Sequence, residues 1–325
     1  MNITMNITIK QIAEKLKVSP GTVSLALSGS PLVASKTRDL VQKTADEMGY
    51  TPSNLGRALR SGKSSLVGCF SSDARDSFFW ELFLGMNRKL AERDYGLLFS
   101  SPRNETSEEI DRCLNFMLKK NVDGVVFAGG FGTLQYRRII PELEKRKIPF
   151  VFCSQNMKEE NLPCIVTDDF TGGKTAVACL AQHGHSSILC QDTRSVPLRL
   201  KGNLAAAAEY DLRYALFHDA SEVVPLLRSS GATAVTAYCD SEALKIIKCL
   251  KNANFDVPED VSVIGYDNLF FAGRSEFELT TVGQAHSLLG EGAIEMLFCF
   301  FDNNTPVSSR ELQPEIILRK TVKHR

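Results

Sequence analysis

The chain lacks any run near the ~18 consecutive apolar residues that a membrane-spanning helix requires. Its longest apolar stretches, Gly124 to Gly132 and Leu82 to Met86, are short or interrupted. It also lacks the basic flank and apolar core of a secretory signal, since it opens MNITMNITIK. A cytoplasmic location without a membrane partner is therefore expected. Net charge is missing too, because 38 basic residues balance 38 acidic ones. The nine cysteines are odd in number and scattered, which excludes a disulfide framework and makes most of them buried thiols. With 43% apolar and 23% charged residues, the 325-residue chain is neither disordered, collagen-like nor a coiled coil. It is long enough for two or three domains with a sizeable core.

Catalytic and cofactor signatures are missing or broken. Gly62-Lys63-Ser64 and Gly173-Lys174-Thr175 resemble the end of a phosphate loop, but that motif's first glycine falls on Arg57 or Asp168. No G-x-G-x-x-G spacing runs through Ala128–Gly132, and neither G-x-S-x-G nor H-E-x-x-H occurs. Cys179, His183, His185 and Cys190 have ligand chemistry but match no zinc spacing. An enzyme, a cofactor and a bound metal are all unexpected.

The zero net charge hides an asymmetry. Residues 1–63 hold nine Lys or Arg against four acids, while 64–325 hold 29 against 34. A basic head on a slightly acidic body points to an anionic partner at one end. Within the head, Thr8 can cap a helix whose inner face is Ile9, Ile12, Ala13 and Leu16. Ser19 can cap a second, with Pro20 at its first position and Val23, Ala26 and Leu27 inside. A third starts near Ala34 or Ser35, carries Leu40, Val41, Ala45 and Met48 on one side, and closes at Gly49. Two helices joined by a tight turn, with a third as brace, make a helix-turn-helix, although any small bundle would share that shape.

From Ser65 onward, strand-like runs alternate with amphipathic helices. They begin with Leu66–Ser71 then Phe78–Arg93, and end with a helix near Ser287–Phe301 and a strand near Pro314–Arg319. Such alternation gives doubly wound parallel sheets, here two with a cleft between them, and ligands bind beyond the carboxyl ends of the strands.

The segment TIKQIAEKLKVSPGTVSLALSGSPLVASKTRDLVQKTADEMGYTPSNLGRALRSGKS resembles the DNA-binding head of the lactose-repressor (LacI/GalR) family. It has the IAxxxxVSxxTVS core, a TR pair in the third helix and a G-Y-x-P exit into a short hinge. The body is similar to the family's sensor at SFFWEL, Asp169–Ala176 (D-x-x-G-G-x-x-A), Gly184-His185, Arg199–Gly202, VPEDVSVIGYDN, LTTVGQ and Pro314–Arg319. Only Asn203 to Ser230 matches poorly. The resemblance implies an all-α helix-turn-helix domain over 1–52, a hinge helix and linker over 53–64, and a two-lobed, periplasmic-binding-protein-like α/β domain over 65–325. It implies a transcriptional regulator, in all expectation a repressor, that binds a pseudo-palindromic double-stranded operator as a homodimer under a sugar-like small-molecule effector. A cytoplasmic sugar-binding protein without operator-specific DNA binding is the alternative.

By resemblance, Pro20, Gly21 and Leu25 stand where bases are read, yet none offers a side-chain hydrogen bond. Leu25 can pack on a thymine methyl, and Thr22, Ser24 and Ser28 suit phosphates or single base contacts. Thr8, Ser19, Thr37 and Tyr50 complete the head's DNA face. In the hinge, Asn54, Arg57 and Arg60 are placed at the DNA, and Leu59 takes the place of the leucine that wedges between base steps. That segment is too short to be a stable helix alone, and a plain linker is the alternative reading. Weak direct readout shifts specificity toward half-site spacing and DNA deformation. In the body, Phe78 and Phe79 fall where rings stack on a sugar, while Arg199, Asp267 and Gln284 match polar ligand contacts. Asp73, Ser154, Ser195 and Asp240 are further cleft candidates. Cys239 stands where an amide is usual, and a thiol is a poorer hydrogen-bonding group.

Overall fold

The computed structural model describes residues 7–50, 62–71, 77–103, 106–129, 133–193, 196–305 and 307–325. The chain divides into two compact units, Met1–Ser64 and Ser65–Arg325.

The first unit holds three helices, α1 (Ile9–Leu16), α2 (Pro20–Leu27) and α3 (Ser35–Met48). Thr8 and Gln11 form a reciprocal capping box on α1, satisfying two N-terminal donors at once. Ser19 caps α2 through the Thr22 amide at 3.0 Å, with Pro20 at the first helical position. Gly49 ends α3 in the left-handed conformation, where glycine carries no Cβ penalty. Arg38 donates to the Gly29 and Ser30 carbonyls at 3.0 and 3.3 Å, which ties the α2–α3 turn to α3. The core is Ile12, Ala13, Val23, Ala26, Val33, Val41 and Ala45. Leu40, expected inside, is 53% exposed. Positions 41, 44, 45 and 48 repeat at helical spacing toward the core, and residue 40 sits about 100° off that stripe.

The second unit starts with β1 (Leu66–Ser71), α4 (Phe78–Ala91), β2 (Gly96–Ser100), α5 (Ser107–Lys119), β3 (Gly124–Ala128), α6 (Thr133–Lys145), β4 (Phe150–Cys153) and β5 (Cys164–Thr167). It continues with α7 (Asp169–Gln182), β6 (Ser187–Gln191), α8 (Pro197–Glu209), β7 (Arg213–Phe217), α9 (Val223–Ser230), β8 (Ala234–Thr236), α10 (Asp240–Asn252), β9 (Ser262–Asp267) and β10 (Thr281–Gly283). The last elements are α11 (His286–Asn303), β11 (Arg310–Leu312) and β12 (Glu315–Ile317). Two six-stranded sheets result, ordered β11-β5-β4-β3-β1-β2 and β12-β10-β9-β8-β6-β7. All pairs are parallel except β10 with β12. Their central strands are nearly continuous buried runs, as sheets covered on both faces demand.

The chain passes between the lobes three times: from β5 to α7, from β10 to α11, and from β11 to β12. Helix α11 returns to pack on α4, β4 and β5 of the first lobe. Helix α7 starts at Asp169 because Asp168 caps it through the Thr171 amide at 2.9 Å. The poorly matching stretch 203–230 contains the end of α8, β7, the 3-10 turn Ala220–Glu222 and all of α9. β7 escaped the sequence reading because it is an edge strand with four of five residues at least partly exposed.

Candidate functional site

The first unit presents α2. Pro20, Gly21, Leu25 and Ser28 are exposed on it, and positions 21, 25 and 28 share one face. Leu25 is 41% exposed, a lone apolar side chain among small ones. The neighbouring hydroxyls hold local structure. Ser19 bonds the Thr22 hydroxyl at 2.9 Å, Ser28 donates to the Leu25 carbonyl at 3.0 Å, and Thr8 donates to Gln11 at 3.0 Å. Ser24 and Thr37 are half-buried, and Tyr50 packs on the unit's core. Asn54, Arg57, Leu59 and Arg60 lie outside the described residues.

In the second unit, polar side chains gather beyond the carboxyl ends of the strands, where doubly wound sheets bind ligands. Arg199 comes from the first turn of α8. Its Nε donates to Asp169 Oδ1 at 2.7 Å, and its Nη1 donates to the Tyr238 carbonyl at 2.5 Å. A longer 3.5 Å contact joins Nη1 to Asp267, while the guanidinium lies 3.6 Å from the centroid of the Tyr266 ring. Tyr266 in turn donates to Asp169 at 3.1 Å. Gln284 donates to Asp267 Oδ1 at 2.7 Å from the β10 end of the crossover. Arg199, Asp267 and Gln284, three of the expected residues, therefore form one buried constellation.

Asp267 closes β9 at φ 108, followed by Asn268 at φ 58. Non-glycine residues seldom occupy this region, and such strain collects at binding sites. Burial pushes the Asp267 carboxyl up to about 8; Arg199 opposes this and the nearby Asp240 charge adds to it. Burial also works against the Arg199 charge, but Asp169 and Asp267 outweigh it and hold the guanidinium firmly protonated.

The close crossing of α7 and α8 sets Arg199 in place. A Cβ on Gly173 would overlap the Arg199 carbonyl, and one on Gly202 would overlap the Phe170 carbonyl. Glycine at both positions lets the two backbones touch.

The remaining candidates separate. Phe78 is half-buried at the start of α4, edge-on to His286 at 4.6 Å. Phe79 is a core residue and Trp80 stands 60% exposed. Ser154 follows β4 in a left-handed conformation, φ 61, with its amide on the Ile165 carbonyl. Asp240 is fully buried: its oxygens accept from the Leu269 amide at 2.7 Å and the Thr281 hydroxyl at 2.6 Å. It braces the loop that carries Asp267 from behind. Burial lifts its carboxyl to about 6, against those two bonds. Asp73 and Ser195 lie outside the described residues. Sequence reasoning gave no site role to Asp169, Tyr266 or His286, although the first two lie within quoted motifs and His286 follows one by two residues. Among the described residues no three His, Cys, Asp or Glu side chains converge as a metal site. No described helix is long and apolar enough to cross a membrane.

A helix-turn-helix unit followed by a two-lobed receptor with a charged cleft defines a class: DNA-binding regulators that sense a small molecule. Residues 8–53 match the family described as bacterial regulatory proteins, lacI family, and 175–322 match the periplasmic binding protein-like domain. The chain thus joins a DNA-binding head like that of the lacI family to a periplasmic-binding-protein-like domain. It is 28% identical over 300 residues to the transcriptional regulator DegA of Bacillus subtilis, covering 88% of this chain and 89% of that one. Catabolite control protein A of Priestia megaterium is 29% identical, with 94% and 96% covered. The transcriptional repressor CytR of Escherichia coli K12 is also 29% identical, with 96% and 95% covered. In fold, it matches a lac repressor dimer bound to operator and an anti-inducer, with TM-score 0.84 at 20% identity over 98% of this chain and 100% of that one.

Proposed function

We propose that this protein represses transcription as a homodimer on a pseudo-palindromic operator and releases or grips it according to an uncharged polyhydroxyl effector. The observation that carries this reading is the union, in one chain, of a capped helix-turn-helix and the Arg199–Asp169–Asp267–Gln284 constellation beyond the strand ends of the second lobe. The Asp169 carboxylate already answers the Arg199 charge, and Asp267 keeps its proton up to about pH 8. No unanswered cation is left there for an anionic ligand, whereas ligand hydroxyls can bond to these carboxyl groups. The half-buried Phe78 ring offers an apolar edge to a sugar ring.

Each head places α2 in a major groove, reading little through Pro20 and Gly21 and packing Leu25 on a thymine methyl. The helix N-terminus at Ser19 attracts a phosphate. The 53–64 hinge folds against the minor groove, with Leu59 as the wedge. Lobe movement about the three crossovers alters hinge spacing and hence DNA affinity. The protein works in the cytoplasm, without metal, cofactor or turnover.

Selection of bound duplexes from a random pool by the full-length protein tests this. An enriched palindrome, weakened or strengthened by a neutral sugar or nucleoside, is expected. Enrichment of no sequence, with or without such ligands, overturns it.

A further inference from the structure

Two backbone bonds show which way β7 faces. The Arg213 amide donates to the Ser186 carbonyl at 3.0 Å, and the Asp192 amide donates to the Phe217 carbonyl at 2.8 Å. In a parallel pair, alternate residues turn both backbone groups toward the same neighbour. Arg213, Ala215 and Phe217 therefore face β6, in register with Ser187, Leu189 and Gln191. Tyr214 and Leu216 turn their amides and carbonyls outward. β7 is the last strand of its sheet, so no described strand receives them.

The side chains of this edge are bare as well. Tyr214 is 50% and Leu216 39% exposed. Both stand on the α8 side of the sheet, where Leu212 packs, whereas Ala215 and Phe217 pack on the other side. The other edge strands are better guarded: β11 and β12 are three residues long, and in β2 only Phe99 is exposed. Between 213 and 217 there is no lysine, proline or bulge, the devices that keep edges from pairing. Arg213, the one charged residue, is exposed and has no ion-pair partner among the described residues.

We propose that β7 pairs antiparallel with β7 of a second copy of this chain, about a two-fold axis through Ala215, which joins the two second-lobe sheets into one. The strand is complementary to itself in that register. Tyr214 exchanges both backbone bonds with Leu216 of the copy, and Leu216 with its Tyr214, so every outward group of both strands is satisfied. The same two pairs lay each tyrosine ring against a leucine on the α8 side. At each end the unpaired Arg213 lies diagonally across from the exposed Asp219 of the copy, a match of opposite charges. A contact that reads the same from both partners is what a two-fold interface requires. This pairing depends on neither the effector nor DNA.

Five paired residues make a smaller contact than lasting interfaces, which bury about 1,200–2,000 Å², so the association is weak and depends on concentration. Sedimentation of the full chain should show its mass doubling between about 1 μM and about 100 μM, the range of a weak contact. Ala215→Cys reads the register. On the axis the two residues meet as a non-hydrogen-bonded pair with Cα atoms about 4.5 Å apart, within disulfide reach. Mild oxidation should link A215C into a two-chain species at least about tenfold faster than wild type, whose own nine thiols set the background. Leu216→Lys puts a charge on an exposed edge position, and it should abolish the mass shift, and in A215C the linking, with thermal melts and circular dichroism as in wild type. A constant mass over that range, or A215C linking no faster than wild type, overturns the pairing and leaves the edge to an extended segment of another protein. Linking that survives Leu216→Lys overturns it too, since the thiols then meet by collision.

Discussion

Asp267 concentrates the chemistry of the cleft in one residue. Its backbone is strained at φ 108, and its carboxyl is buried beside a guanidinium already shared with Asp169. The folded protein holds the Asp267 proton up to about pH 8, whereas the unfolded chain releases it near pH 4. Its contribution to stability is therefore full below about pH 4 and is lost as pH rises toward 8. Asp267→Asn removes that loss. Its melting temperature relative to wild type should climb between pH 5 and pH 8, while its response to any polyol effector disappears. Thermal melts across that range, repeated with ligand, check both arms. Asp240, by contrast, shows why residue type alone misleads: the same carboxylate beside the same cleft is wholly engaged with Leu269 and Thr281.

At the scale of elements, the α7–α8 crossing carries Arg199 into position. Gly202→Ala puts a methyl against the Phe170 carbonyl, a backbone atom that cannot swing aside. A loss of about 1–3 kcal/mol is expected, measured by urea denaturation, together with weaker effector binding as α8 shifts Arg199. The hinge makes a separate prediction. Leu59→Ala should abolish preference for the operator over random DNA and keep the salt-dependent background, as titration at two ionic strengths would show. An unchanged specificity ratio would remove the wedge from the account. Element positions were largely readable in advance because their signals are local. Thr8 and Ser19 act within three residues of themselves, and the buried strands are short apolar runs. The edge strand β7 was not readable, since exposure on an edge erases the apolar run that marks a strand.

The whole molecule presents an apolar face that its own fold leaves uncovered. Trp80 and Leu84 stand one turn apart on α4, with Leu288 on the neighbouring α11, at 60%, 55% and 55% exposure. The Trp80 and Phe99 rings both meet Phe83 edge-on, at 6.1 and 5.0 Å, which joins α4 to the β2 edge of this face. Patches of this kind mark interfaces, and a dimer on a two-fold operator needs one. Leu84→Glu should yield a monomer by sedimentation, with secondary structure intact and operator affinity much reduced. A dimer that persists would move the interface elsewhere. Coupling within the assembled molecule is reciprocal: an effector that weakens DNA binding must itself bind less tightly to the DNA-bound protein.

The sequence by itself determined the helix-turn-helix with its caps, the alternation that makes two parallel sheets, and the motifs that carry Asp267 and Gln284 at strand ends and Arg199 at the start of a helix. These depend on neighbours a few residues apart, or on patterns repeated along the chain. Tertiary structure alone decided that Arg199 is held between Asp169 and Asp267, 30 and 68 positions away. It alone turned Asp240 inward, left Leu40 and Trp80 outside, and set His286 edge-on to Phe78. Burial and charge balance are properties of surroundings assembled from distant segments, so no local pattern encodes them.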